Sequence, residues 1–355
     1  MRLDKKLTVS ASPHLRSATT STGIMLDVIL ALLPAFFAAI IIFGPRVLAV
    51  TAVTVGSCLL SEYLARKIMK RPGTLSDLSA VITGLLLAFN LPVSMPLWMA
   101  AIGSVFAIVV VKQFFGGIGQ NFVNPALMGR IVLLVSFPKA MSTWTDAFAW
   151  KTGVASYTSA SFAAHLNPNS VSAITSATPL AHLNNLFSSG NLSGFTSADG
   201  MPTITQMFFG QRSGSLGEVC AAALILGGLF LIIRGVISPA IPLTYIGTVA
   251  IIMLFAGKGD LTFVAYQVMG GGLLLGAIFM ATDYSTSPVN LKGKIIFGIG
   301  CGLITALVRL FGSLPEGVSF SIIIMNILVP HIERLTAPKP FGTPKKVKEE
   351  KAVKQ

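Results

Sequence analysis

Residues 26–43 read LDVILALLPAFFAAIIIF, eighteen positions with a single charge, Asp27, next to the start. A helix crossing the hydrocarbon core needs about 20 consecutive apolar residues, and a charge at its middle costs several kcal/mol. The stretch reads as a membrane span, and the rest of the chain repeats the pattern. Further candidate spans run over residues 47–64, 78–90, 97–111, 126–137, 216–233, 240–255, 263–281, 295–311 and 318–329. The third, fifth and last of the ten are short. Short spans read as half-helices or re-entrant segments, tolerated where protein or water covers the free backbone groups.

Composition points the same way. Of 355 residues, 53% are hydrophobic and 11% charged, against roughly 25% charged in a soluble domain. Length alone would allow two or three soluble domains, but the hydropathy makes one bundle. The net charge of +13 could suggest a nucleic-acid partner. The Lys and Arg instead lie in short loops beside apolar runs, without interleaved aromatics, so the reading is no nucleic acid. Cys58, Cys220 and Cys301 stand isolated in apolar runs and read as small packers. His14, His165, His182 and His331 have no carboxylate at ligand spacing, so no metal site is predicted. No phosphate-binding glycine loop or nucleophile elbow occurs.

Loop charges give the topology. With the N-terminus in the cytoplasm, twenty of the 26 Lys and Arg fall inside, Lys112, Arg130 and Arg234 among them. Arg46, Lys139, Lys151, Arg212, Lys258 and Arg309 remain outside. The positive-inside rule then predicts ten spans with both termini cytoplasmic. The one long polar interruption, residues 138–214, is rich in Ser, Thr and Asn and falls outside. Five spans lie on each side of it, an odd number, so the halves insert with opposite orientation. The expected fold is an all-α integral membrane protein of about ten transmembrane helices in two inverted five-helix repeats, with broken or short helices. Its units are a polar tail at 1–22 rather than a cleavable signal, a first repeat at 23–137, an extracytoplasmic segment at 138–214, a second repeat at 215–337 and a disordered basic tail at 338–355.

Each half carries one Gly/Pro-interrupted stretch, GGIGQNFVNPAL at 116–127 and GGGLLLGAIFMATDYSTSP at 270–288. Such stretches point either to an interior site or to close helix packing through small residues. Boundary acids are Asp27, Glu62, Asp77, Glu218 and Asp283. Buried, they would mark an ion pathway; Asp27, Asp77 and Glu218 also fit the first turn of a helix, and that is the favoured reading for them.

The outer segment contains ITSATPL at 174–180. Thr178 before Pro179 reads as a helix start, a hydroxyl at the N-cap and proline at the first helical position, with Leu180, Leu183, Leu186 and Phe187 following at helical spacing. The same position also receives a phosphate well, because free N–H groups and the helix dipole point at it.

Several stretches together resemble the NqrB/RnfD family of ion-pumping respiratory complexes, nearer its Rnf branch. They are SPHLR at 12–16, the 116–127 stretch, GSLGE at 214–218, MATD at 280–283 with Ser287-Pro288, and LPEGV at 314–318. The longer N-terminal extension of the other branch is absent. The resemblance implies FMN bound covalently, through its phosphate, to the hydroxyl of Thr178, within a motif that includes Thr175, Ser176 and Ala177. Ser176 stands where Gly is usual, and Ser172 where Asp is frequent. A flavin transferase using FAD would attach it. The resemblance further implies electron transfer between ferredoxin and NAD⁺ coupled to Na⁺ or H⁺ movement in a bacterial cytoplasmic membrane. The partners would be the A, B, C, E and G subunits of Rnf, and membrane lipid. A second, non-covalent flavin occurs in the sister branch. Composition by itself leaves open a solute channel or permease of urea- or ammonium-transporter-like architecture, and a structural anchor without cofactor.

Overall fold

The computed structural model describes residues 19–151, 179–180, 183, 201–312 and 316–338. Every regular element among the described residues is helical. α1 (Ser21–Phe43) starts where the Thr20 hydroxyl accepts from the Gly23 N–H at 3.1 Å, an ordinary N-cap. It ends at Gly44, with φ at 81° and the Trp150 ring 2.6 Å from where a Cβ would stand. α2 (Arg46–Ile68) carries Arg66 and Lys67 in its last turn, where cations meet the negative end of the dipole. α3 (Ser79–Phe89) and α4 (Leu97–Phe106) follow, and α4 continues as a π-helical turn over Ala107–Gln113. α5 (Pro125–Ser136) is capped by Asn124, whose side chain accepts from the Ala126 N–H at 3.0 Å, with Pro125 in the first position.

The second half runs through α6 (Ala221–Ile233), α7 (Ala240–Ala256), α8 (Leu261–Met269), α9 (Leu273–Leu275), α10 (Leu291–Phe311) and α11 (Val318–Thr336). By length and apolarity α1, α2, α10 and α11 can each cross a membrane, and α8 with α9 and its π-helical continuation to Met280 makes a fifth, bent span. The chain is a multi-pass membrane protein. Its outward face shows why: Phe37, Ile41, Leu60, Leu243, Phe255 and Phe311 are exposed around a continuous apolar core. Water would not tolerate so large an apolar surface, whereas lipid does.

The structure departs from the sequence reading at helix ends. Residues 263–281 read as one span, but the chain bends by 64° between α8 and α9. The cause is Gly270–Gly272, where Gly271 takes a left-handed φ of 61°. Such φ values are easy only for glycine. The third span begins one residue late because Leu78 is itself left-handed, at φ 62°. Asp77 caps that turn, accepting from the Ser79 N–H at 2.9 Å and from its hydroxyl at 2.5 Å. Asp27 does not cap: α1 begins at Ser21, and Asp27 pairs instead with Arg234 at 3.2 Å. Glu218 does not cap either, because α6 starts only at Ala221.

Glycines also set the helix packing. Gly227 on α6 lies so close to the Ala31 carbonyl of α1 that no Cβ fits, and Gly298 and Gly302 on α10 receive Thr244 and Thr248 of α7 in the same way. With no hydrophobic drive between helices in lipid, close backbone approach supplies the association.

Candidate functional site

The Asp27–Arg234 pair brings the start of α1 and the end of α6 to one end of the bundle, which also holds the end of α2. The opposite end holds the start of α6 and the connection between α10 and α11. A buried ionic cluster occupies each end.

At the first end, Lys112 leaves the π-helical turn after α4 and donates to Glu62 Oε2 at 2.9 Å and to the Ser79 hydroxyl at 2.6 Å. Glu62 Oε1 accepts from Thr74 Oγ1 at 2.7 Å and from Gln113 Nε2 at 3.0 Å. Both charges are buried, so the pair is stable only because its remaining hydrogen-bonding capacity is filled. A π-turn inserts one extra residue per turn and tends to sit at functional positions; here it turns Lys112 and Gln113 inward together. Lys112 and Ser79 border a cavity of about 290 Å³ that is also lined by Asn121, Asn124, Phe279 and Asp283. Asp283 lies in the connection after α9. Burial pushes its carboxyl above the usual aspartate range, against hydrogen bonds from Ser285, Thr286 and Asn121 that pull it down. Asn124 Nδ2 donates to the Met280 carbonyl at 3.3 Å, tying the two Gly/Pro-interrupted stretches together at this cavity.

At the other end, Arg130 of α5 donates through Nη2 to Glu316 and through Nη1 to the Ser319 hydroxyl, with Glu218 Oε1 at 3.8 Å from the same Nη2. Glu218 reaches this depth because its loop lies on the end of α3. The Leu216 N–H donates to the Leu91 carbonyl at 3.0 Å and the Gly217 N–H to the Phe89 carbonyl at 2.9 Å, and only glycine at 217 leaves room for the Phe89 ring. Arg309 of α10 donates to the Gln267 carbonyl at 2.5 Å and to the Gly270 carbonyl at 3.2 Å, satisfying groups that the break after α8 leaves free. Arg212 donates to the Glu218 carbonyl at 2.7 Å.

Thr175, Ser176, Ala177 and Thr178 lie outside the described residues. Pro179 and Leu180, which follow them, are helical, and Leu180 and Leu183 are buried. Leu180 sits on the helix break: a Cβ at Gly271 would stand 3.1 Å from Leu180, 3.3 Å from Arg309 Nη2 and 3.5 Å from Glu316. Leu180 thus packs beside the second ionic cluster.

Sequence reasoning singles out Glu62, Glu218 and Asp283 but not their partners. The loop count places Arg130 inside, yet it stands with Arg212 and Arg309, which the same count places outside. Its charge is neutralised within the bundle by Glu316, so it says nothing about loop orientation. The available signal is an ionisable residue inside an apolar run, which demands a partner. Those partners, Glu316 and Glu218, are 186 and 88 residues away, beyond any local pattern.

A family model described as the NQR2, RnfD, RnfE family matches residues 8–342. The chain is 44% identical over 348 residues, 98% of both chains, to the D subunit of the Na(+)-translocating ferredoxin:NAD(+) oxidoreductase complex of Acetobacterium woodii. It is 40% identical over 339 residues, 95% of this chain and 96% of the other, to the D subunit of the proton-translocating ferredoxin:NAD(+) oxidoreductase complex of Clostridium ljungdahlii. It is 36% identical over 353 residues, 95% of this chain and 98% of the other, to the D subunit of the ion-translocating oxidoreductase complex of Haemophilus influenzae.

Proposed function

The chain belongs to the NQR2, RnfD, RnfE family, and on that premise we propose that it is the membrane subunit of an ion-translocating ferredoxin:NAD⁺ oxidoreductase complex, carrying FMN joined through its phosphate to Thr178. Near-complete coverage of relatives so named is the observation that carries the reading. The names of those relatives give no support to a solute permease. Their ions differ, sodium in one and protons in the other, so similarity leaves the ion open.

The described residues fit such a group. Leu180 and Leu183 are buried after Thr178, and three buried guanidiniums, Arg130, Arg212 and Arg309, lie against two carboxylates at the same end of the bundle, a balance that suits an anion nearby. When bound, a flavin accepts electrons singly or in pairs. This chain's part is to hold it at one end of the bundle and to set the surrounding charge, through Arg309, Arg130 and Glu316.

The reading extends to the whole bundle. Ten spans in two inverted five-helix repeats, both termini cytoplasmic, would lie in a bacterial cytoplasmic membrane beside the A, B, C, E and G subunits of Rnf. Each half buries a cation beside a left-handed residue: Lys112 meets the start of α3 next to Leu78, and Arg309 meets the end of α8 next to Gly271. A second, non-covalent flavin would find in the 290 Å³ cavity an apolar lining from Ile82, Leu86 and Phe279 and polar groups from Asn121, Asn124 and Lys112.

The test is flavin fluorescence on a denaturing gel after co-expression with a flavin transferase. The wild-type band should fluoresce, Thr178→Ala should be dark while still inserting, and Thr178→Ser should keep some signal. A dark wild-type band, or a bright Thr178→Ala band, overturns the attachment.

A further inference from the structure

α2 ends in a turn that gathers Arg66, Lys67, Lys70 and Arg71. The Arg71 N–H donates to the Arg66 carbonyl at 3.0 Å and the Lys70 N–H to the Lys67 carbonyl at 3.2 Å, the paired bonds of a Schellman motif. The left-handed position of that motif usually holds glycine, and here it holds Lys70, with φ at 54°. Strained backbone of this kind persists where the side chain it carries has a use. None of the four cations forms an ion pair among the described residues, where the ion pairs belong to Lys112, Arg130 and Arg234. Glu62, one turn before Arg66, is held by Lys112, and Asp77 is spent on Ser79.

Arg66 supplies a second, independent sign. It is 8% exposed, its Nη1 donates to the Pro72 carbonyl at 3.3 Å, and its Nε has no acceptor among the described residues. A guanidinium so deeply buried calls for an anion beside it. The surface around the turn is apolar. Leu60, Leu64 and Ile68 recur at helical spacing on the exposed face of α2, and Lys67 Nζ lies 5.8 Å over the ring of Tyr63 on the same face. Arg71 Nη1 donates to the Gln113 carbonyl at 3.5 Å, and the loop that follows Gln113 exposes Phe115 and Phe122, their rings 4.7 Å apart. An apolar stripe ending in cations complements a molecule with a negative head and hydrocarbon tails. The end of a span lies at headgroup level whichever way the chain is oriented.

We propose that the turn at the end of α2 binds an anionic phospholipid, its phosphodiester among Arg66, Lys67, Lys70 and Arg71 and its acyl chains along Leu64 and Ile68. Several cations at the end of a span attract anionic lipid, and the left-handed Lys70 gives this group a fixed shape. The site needs neither a flavin nor a translocated ion, so failure of the flavin attachment leaves this inference standing.

Native mass spectrometry of the purified full-length chain in detergent, titrated with phosphatidylglycerol, phosphatidylcholine or inorganic phosphate, tests it. The wild type should retain phosphatidylglycerol at least about tenfold more tightly than phosphatidylcholine, whose ammonium cancels its phosphate, and inorganic phosphate should not displace it. Lys70→Gly removes one cation and relieves the left-handed backbone. Its thermal midpoint without lipid should hold or rise, while its affinity for phosphatidylglycerol falls about fivefold; a lysine with only a structural role would not separate the two readouts. Lys258→Gly is the control. It too replaces a left-handed lysine, at φ 54° just beyond α7, but one without neighbouring cations, and it should keep the lipid. Equal retention of the two lipids, displacement by phosphate, unchanged affinity in Lys70→Gly or an equal loss in Lys258→Gly overturns the proposal. So does loss of the lipid once the chain is assembled with neighbouring subunits, which would give the turn to a protein partner. Should Lys70→Gly fold poorly, Lys67→Gln, which leaves the backbone alone, carries the same expected loss of about fivefold.

Discussion

Arg309 Nη2 donates to the Gly270 carbonyl at 3.2 Å, so a guanidinium from α10 closes the gap between α8 and α9. A broken span survives in a membrane only where its freed carbonyls find donors inside the protein. Arg309→Ala leaves the Gln267 and Gly270 carbonyls unpaired and should destabilise the chain by roughly 2–4 kcal/mol. Thermal unfolding in detergent would show it as a lowered midpoint, with Arg309→Lys intermediate because one ammonium cannot span both acceptors. An unchanged midpoint in Arg309→Ala would mean the break is held by other contacts.

Gly271→Ala should be harmful for two reasons that act at one atom. The left-handed conformation costs a non-glycine residue roughly 1–2 kcal/mol, and the added Cβ meets Leu180 at 3.1 Å. Leu180 should lose its seat on the break, and limited proteolysis should then cut near residues 179–183 faster than in the wild type. Gly119→Ala is the control, since φ there is also positive but open space surrounds the position. Equal cleavage in both variants would remove Leu180 from the explanation.

Lys112 and Glu62 should behave as a unit. Removing one member of a buried pair strands the other charge and costs roughly 3–5 kcal/mol, whereas removing both together costs much less. Lys112→Met should therefore lower the unfolding midpoint more than the Lys112→Met/Glu62→Gln double variant does. Additive losses would show that the two charges do not stabilise each other.

Asp283 should make stability depend on pH. Burial raises its carboxyl in the folded chain, so the unfolded chain ionises first. The associated stability is complete below the ordinary aspartate range of about 4. It is lost as pH rises through the folded value. Thermal midpoints should fall over that interval in the wild type, and Asp283→Asn should flatten the slope. A slope unchanged by the substitution would assign it to another group.

Much of the architecture is legible one residue at a time. Eighteen nearly uncharged positions at 26–43 need no partner to be recognised as a span, because their environment is lipid and the criterion is local. Pro125 after Asn124 and Asp77 before Ser79 are likewise readable as helix starts, since a cap is satisfied within three residues. The break in 263–281 is only half legible: the glycines signal an interruption, but the 64° bend depends on Arg309, Leu180 and Glu218 filling the space around it.

Hydropathy and short motifs are properties of contiguous residues, so the linear chain already specifies a helical membrane bundle and the family it resembles. Tertiary structure alone decided that Arg130 meets Glu316 and Glu218, that Lys112 meets Glu62, and that Leu180 rests on Gly271. The physical reason is that a buried charge must be neutralised by whichever group the fold brings within a few ångströms, and a linear sequence contains no distances.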